Sequence, residues 1–308
     1  MKNDVIVVGA GPSGVSCALW LKQLGFSPVV VDRNDRCGGL QLLNAYANTW
    51  IATSVNVHGK DVAQAMNDNM VRHGVDMRLR VDAMEASRAG DGWGVRLSTG
   101  EILSGRFLVL AAGVAPKTGG FAHRLGMILG PGHGVANTNF SGSKVAILGG
   151  GDSAFENYLF AKQRGATSVT IYARTLRARA EMLERANPED VHVGVFAVDD
   201  VARTVDGVPF DHIIVLYGYE AKKSSMLGLP LGMRRDGFVV TDANCQTTID
   251  SVFAVGEIAQ RSHPCCATAM ADGVVAAKEI QRRLESDFAS KFAGLARRTV
   301  SLAAKALA

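Results

Sequence analysis

An α/β fold with two Rossmann-like modules, the second inserted into the first, is what this sequence of 308 residues predicts, on three observations. The first is an apolar run, Val5-Ile6-Val7-Val8, passing directly into Gly9-Ala10-Gly11-Pro12-Ser13-Gly14, with the spacing G-x-G-x-x-G. The second is the return of that unit, as Val145-Ala146-Ile147-Leu148 followed by Gly149-Gly150-Gly151-Asp152-Ser153-Ala154. The third is a set of continuous apolar runs, such as Phe107-Leu108-Val109-Leu110-Ala111 and Ile213-Ile214-Val215-Leu216. A parallel sheet covered on both faces needs strands of that kind.

In the first module Gly9 permits the tight turn out of the strand. Gly11 lets the backbone approach a diphosphate, and Gly14 lets the next helix pack close to the sheet. That helix, residues 15–24, is closed by Gly25. It leads to Val29-Val30-Val31-Asp32, a second strand ending in the carboxylate that holds a ribose hydroxyl in such turns. Pro12 and Ser13 lie on the helix start, whose free N–H groups face an anion. The loop 33–40 contains Arg33 and the pair Gly38-Gly39. A helix is expected over residues 61–72. Two half-buried strands, residues 79–83 and 93–98, are expected on either side of Gly90-Asp91-Gly92. Ala112-Gly113 begins the exit from the first domain, and residues 119–142 read as mostly glycine-rich loops.

The repeat matches without a gap. The offset that carries Gly9 to Gly149 carries Gly11 to Gly151, Gly14 to Ala154, Leu24-Gly25 to Arg164-Gly165 and Val29-Val30-Val31 to Val169-Thr170-Ile171. It also carries Asp32 to Tyr172, and Arg174, Arg177 and Arg179 follow. A carboxylate there favours a free ribose hydroxyl, whereas arginines without an acid accommodate a 2′-phosphate. The first module therefore reads as an FAD site, with Asp152 and Ser153 opening an NADPH helix in the second. NADH is the alternative if the arginines are only a solvated face. A short strand is expected at residues 195–198, and the apolar Phe238-Val239-Val240 follows a turn at Arg235-Asp236-Gly237. The chain returns to the first domain near residues 244–248, and Ser251-Val252-Phe253-Ala254-Val255-Gly256-Glu257 is a strand ending in glycine and an acid. A helix over residues 269–283 and a basic helical tail over 286–308 complete it. The domains are thus 1–115 with 248–308 for FAD, and 116–247 for the nicotinamide nucleotide.

The net charge of +4 suits anionic nucleotides, and its scatter excludes a nucleic-acid footprint. Met1-Lys2-Asn3-Asp4 enters a strand without an apolar leader, and no apolar run reaches ~18 residues. A cytoplasmic location without a membrane span is expected. The five cysteines are irregularly spaced and read as reduced thiols.

With these motifs in order, the chain resembles the low-molecular-weight thioredoxin reductase family of FAD- and pyridine-nucleotide-dependent oxidoreductases. Gly38-Gly39 with Gln41, Asn48-Thr49-Trp50, Ala111-Ala112-Gly113 and Phe253 to Glu257 add to the likeness, which runs to about residue 284. The resemblance implies an FAD domain built from both chain ends, an inserted NADPH domain, rotation of the domains about two linkers, and a homodimer. It places Glu257 where the family has an aspartate against the flavin's ribityl chain. It places Cys265, Cys266 and Ala267 against the pyrimidine end of the isoalloxazine.

One departure governs function. The family carries a redox Cys-x-x-Cys before the second glycine turn, and Gly132-His133-Gly134-Val135-Ala136-Asn137-Thr138-Asn139 contains no cysteine. Disulfide reduction needs an attacking thiolate and a resolving partner. The leading reading is accordingly an NAD(P)H-dependent flavoprotein oxidoreductase whose acceptor is not thioredoxin. Three alternatives stand beside it. A ferredoxin or flavodoxin reductase would use the tail, with Phe288 or Phe292 stacking on flavin and Lys291, Arg297 and Arg298 drawing an acidic partner. A monooxygenase or oxidase would line a pocket with Tyr46, Trp50, Tyr217 and Tyr219, with His58 and His133 in nearby loops. A non-catalytic sensor would only bind the nucleotides. Cys265 and Cys266, with His263 before them, are the candidate catalytic residues. Cys37 is a weaker redox candidate, and Cys17 and Cys245 carry no chemical signal.

Overall fold

The computed structural model describes residues 3–44, 47–49 and 51–306, with side chains up to residue 286 except that of Lys223. Tyr46, Trp50 and the side chains of Phe288, Lys291, Phe292, Arg297 and Arg298 therefore lie outside the described residues. The chain divides into two compact units, one comprising Met1–Leu42, Asn48–Gly113 and Ala221–Ala308, the other Leu43–Ala47 and Val114–Glu220.

The first unit opens with β1 (Asn3–Val8), α1 (Pro12–Gln23), β2 (Pro28–Asp32) and α2 (Gly59–Arg72). It continues with β3 (Asp76–Leu79), β4 (Ala83–Ala89), β5 (Gly92–Leu97) and β6 (Ile102–Leu110). The sheet runs β3-β2-β1-β6-β5-β4, and a late strand, Val252–Ala254, pairs in parallel with the end of β6. Alternation along β1 explains the double burial of the sheet. Val5 and Val7 join α1 and the C-terminal helix on one face, with Leu21, Val109 and Ile280. Ile6 and Val8 face the other way, with Val29, Leu108, Trp93 and Val95. Each such side chain contributes about 1.5–3 kcal/mol on burial.

The second unit contains β7 (Met127–Leu129), β8 (Lys144–Leu148), α3 (Asp152–Gln163), β9 (Ser168–Ala173), β10 (Val191–Val193) and β11 (His212–Val215). The five strands of this sheet run β7-β11-β8-β9-β10, all parallel. Phe155, Tyr158 and Ala161 of α3 pack on Val145 and Ile147.

Several elements differ from expectation. The strand expected over residues 79–83 is interrupted, because Arg80 takes a left-handed φ of 58°. The chain there separates an edge strand, β3, from the β4–β5 hairpin. β7 lies within the glycine-rich stretch, bracketed by Gly126 and Gly130 at φ 80° and 84°. Residues 221–247, read from sequence as part of the inserted module, pack on the first sheet, where Met226, Leu227, Leu231 and Val239 join Leu108 and Val252. The C-terminal helix α4 (Cys266–Ala306) starts three residues earlier than expected and runs on into the tail. Among the described residues no helix is long and apolar enough to cross a membrane.

Candidate functional site

Each unit carries a glycine turn. In the first, Gly9 has a φ of +112°, and a Cβ there would lie 2.3 Å from the carbonyl oxygen of Ala111. A Cβ on Gly14 would lie 1.9 Å from the oxygen of Gly9. These two glycines let β1, α1 and the end of β6 close up. Gly11 is different, since a Cβ there would meet only the Cα of Gly39, at 3.7 Å. It is the N-cap of α1, Pro12 follows at the first helical position, and no side chain caps the helix. The amides of that first turn are thus left for an anion.

The carboxylate of Asp32 fixes the edge of this turn. Its Oδ2 accepts from the Ala10 amide at 2.6 Å, and its Oδ1 from the Asn34 amide at 2.8 Å. Ser13 is buried and donates to the Val255 carbonyl at 3.4 Å. Gly256, at φ +74°, approaches so closely that a Cβ would lie 2.6 Å from Ser13 Oγ. The strand ends at Val8, Asp32, Leu110 and Ala254 therefore bring Gly9–Gly14, Asp32, Gly39, Ala112-Gly113 and Gly256-Glu257 to one edge of the sheet. Gln41 accepts from Asn48 Nδ2 at 3.0 Å, which ties the loop after Gly39 to residues 48 and 57. Arg33 is turned onto the exposed Asp82, 3.1 Å away. Burial pushes the Glu257 carboxyl up from the ordinary glutamate range.

The cysteines separate into two classes. Cys17, Cys37 and Cys245 are buried, and desolvation raises all three thiols, Cys37 to about 11 and Cys245 to about 12. Cys265 and Cys266 are half-buried at the start of α4. Burial also opposes ionisation of Cys265, but hydrogen bonds outweigh it and hold this thiol below its ordinary value. Its Sγ lies 3.3 Å from Thr268 Oγ1 and accepts from the Thr268 amide at 3.5 Å, the position of a helix N-cap. Cys266 is pushed up to about 11, first by burial and then by the neighbouring Cys265 and Glu257. Only one of the adjacent pair has the environment of a reactive thiol. Ala267, His263, His58 and His133 are exposed. Beside Cys265 is a recess of about 190 Å³, open on one side and lined by Glu257, Arg261, Thr268 and Asp272 among others.

The second turn repeats the geometry with one change of register. Gly149 has φ +152°, and its Cβ would lie 2.5 Å from the Leu216 oxygen. Gly151 is the N-cap of α3, and a Cβ there would meet nothing within 4 Å. Ala154 is buried against β8 and β9, as the third position requires. Val8 pairs with Val31, but Leu148 pairs with Tyr172. The position equivalent to Asp32 is therefore Ala173 and not Tyr172, whose ring is buried and stacks on His192 at 5.2 Å. The loop after β9 folds over the turn, with the Arg177 amide donating to the Gly150 oxygen at 2.7 Å. Sequence reasoning missed Gly150. A Cβ there would lie 2.1 Å from the Thr175 oxygen, and the third consecutive glycine was the available signal. Arg179 donates through its amide and Nε to the two carboxylate oxygens of Asp152, both at 2.7 Å. Arg174 is exposed, and Ser153 Oγ lies 3.5 Å from Asn157 Nδ2.

Comparison with known proteins agrees with this geometry. Residues 133–273 match a model described as pyridine nucleotide-disulphide oxidoreductase, and residues 7–53 one described as an NAD(P)-binding Rossmann-like domain. The chain is 28% identical to a bifunctional thioredoxin reductase/thioredoxin of Mycobacterium leprae, over 94% of this chain and 67% of that protein. It is also 28% identical to a ferredoxin–NADP reductase of Ignicoccus hospitalis, over 83% of this chain and 90% of that one. The crystal structure of Lactococcus lactis thioredoxin reductase superposes with a TM-score of 0.78 at 22% identity, over 91% of this chain and 98% of that one. On these turns, this fold and these relatives, the chain is thioredoxin reductase-like, similar to the FAD- and NAD(P)-dependent oxidoreductases of that family.

Proposed function

We propose that the chain is an NADPH-dependent flavoprotein oxidoreductase that delivers electrons through FAD to an acceptor other than thioredoxin. The observation that carries this reading is the pair of uncapped glycine-turn helices, of which only the first has an acid at the end of its second strand. In it Gly9–Gly14, Gly39, Asp32 and Glu257 hold FAD, with Asp32 on a ribose hydroxyl and the amides at the start of α1 on the diphosphate. Gly149–Ala154 hold the nucleotide diphosphate, and Ala173 leaves room where Asp32 stands in the first unit. When bound, the flavin takes hydride from a nicotinamide and passes the electrons on.

No Cys-x-x-Cys occurs anywhere in the sequence, so the chain has no dithiol of the usual spacing to relay electrons to thioredoxin. A ferredoxin–NADP reductase of similar length is among its relatives. That favours a small electron-transfer protein as acceptor, and the family likeness favours a homodimer. Purified protein is expected to carry FAD, to be bleached anaerobically by NADPH, and to be reoxidised quickly by ferredoxin or flavodoxin. Colourless protein that refuses FAD, or rapid reoxidation by thioredoxin disulfide, overturns the reading.

Arg174 and Arg179 divide the work on a 2′-phosphate unequally. Arg179 already holds the helix-start carboxylate of Asp152, whereas Arg174 is exposed with no ion pair among the described residues. Replacing Arg174 by alanine is expected to raise the KM for NADPH about 10- to 100-fold, the loss of one charge-assisted hydrogen bond. The KM for NADH should stay near its original value. Arg179→Ala is expected to give a smaller ratio of the two effects, and steady-state kinetics with both nucleotides reads it.

A further inference from the structure

The first unit contains a buried charged network that the function described so far does not use. Asp272 lies on α4, its side chain 11% exposed, and Arg261, in the loop before the helix, pairs with it at 2.9 Å. The same guanidinium nitrogen donates to Cys245 Sγ at 2.8 Å, and the other to the Ala243 carbonyl at 2.7 Å. Cys245 is a neutral thiol, held up by burial, so among the described residues the only negative charge bonded to Arg261 is that of Asp272. The second oxygen of Asp272 accepts from the backbone amide of Gly256 at 3.1 Å.

Those contacts fasten the start and the midpoint of one loop. Gly256 begins it, and Asp272 fixes that amide. Arg261 stands in its middle, and Cys265, Cys266 and Ala267 end it. The loop is also pressed on the first glycine turn through Gly256 against Ser13, and α4 is tied to α1 by Ser16 Oγ donating to the Met270 carbonyl at 2.8 Å. Gly273, next to Asp272, admits α1 so closely that a Cβ would lie 2.3 Å from the Ser13 oxygen. The helix therefore cannot shift to compensate if the loop moves. A buried acid that accepts from both a guanidinium and a backbone amide has two partners to lose at once.

We propose that Arg261 and Asp272 are positioning residues that hold the loop from Gly256 to Ala267 in the shape that binds the isoalloxazine and ribityl portion of FAD. The inference rests on the FAD reading above and assigns to it two residues outside the glycine turns. Asp272 sets Glu257 by fixing the amide before it. Arg261 sets the approach to Cys265 by tying the loop's midpoint to residues 243–245. A lysine at 261 retains the charge but cannot reach three acceptors at once.

The test uses the full-length protein and measures FAD affinity by calorimetry and the visible circular dichroism of the bound flavin. Asp272→Asn and the milder Arg261→Lys are compared with Glu279→Gln. Glu279 is a second buried carboxylate on α4, but it pairs with Arg282 and Arg283, away from the loop. At a temperature where all apoproteins are folded, the two clamp variants are expected to bind FAD about 10- to 100-fold more weakly and with an altered dichroism spectrum. Glu279→Gln is expected to lower Tm and leave affinity and spectrum as in the original protein. Unchanged FAD affinity in the clamp variants, or an equal loss in Glu279→Gln, overturns the proposal. If Asp272→Asn fails to fold, Arg261→Lys decides alone. Original protein that takes up no FAD at all defeats the underlying FAD reading instead, so the two failures are told apart.

Discussion

Gly14→Ala is expected to give protein whose Tm falls by about 10 °C or more, or which does not accumulate in soluble form. Gly14 lies inside α1, where alanine by itself is favoured by about 1 kcal/mol. Packing reverses the sign. The new methyl would lie 1.9 Å from the Gly9 oxygen and 3.1 Å from the Ala111 methyl, and the first of these is backbone. Relief requires α1 to lift from the sheet, which opens the cluster of Val5, Val7, Leu21 and Val109. Overpacking costs about 1–3 kcal/mol where side chains can yield, and more where they cannot. Each kcal/mol moves Tm by about 2–4 °C in a protein of this size class. Gly25→Ala is the control. Its φ of +88° carries strain, but its Cβ meets nothing within 4 Å, so a drop of only a few degrees is expected. Thermal unfolding of both apoproteins checks the order, and a Gly14→Ala protein as stable as Gly25→Ala would contradict it.

The contrast explains which parts of the fold were legible. The two turns were readable because their glycines meet steric demands that no other residue satisfies, and those demands recur at a fixed offset. The one-residue slip between Tyr172 and Ala173 was not readable. It arises in the connection from α3 to β9, where nothing in Gly165-Ala166-Thr167 announces a different strand register. The partner of Arg179 was hidden for a similar reason. Asp152 and Arg179 are brought together only when the loop after β9 folds over Gly150. Residues 226–239 joined the first core without a periodic pattern, since Met226, Leu227, Leu231 and Val239 follow neither a helical nor a strand repeat. Cys265 and Cys266 looked equivalent in sequence, and it is the start of α4 that separates them.

Gly151→Ala is the counterpart on the nucleotide side, where the fold should survive and binding should not. Gly151 has an ordinary φ of −98°, so alanine fits its backbone. Its Cβ would enter open space, while Gly149 and Gly150 on the same turn are jammed against Leu216 and Thr175. Alanine is a poorer N-cap than glycine, at a cost of about 1 kcal/mol or less, so Tm should stay within about 4 °C. In the proposed complex the open space at Gly151 is the path by which a diphosphate reaches the amides of α3. A methyl there holds the phosphates away from those donors. Losing one or two such bonds weakens binding about 10- to 100-fold. Because the diphosphate is common to both nucleotides, NADPH and NADH should be weakened by a similar factor, unlike the selective effect at Arg174. FAD content should not change, since the first turn is in the other unit. Calorimetric titration of the oxidised holoprotein with NADP⁺ and NAD⁺ reads all of this, and undiminished affinity would remove the second turn from the nucleotide site.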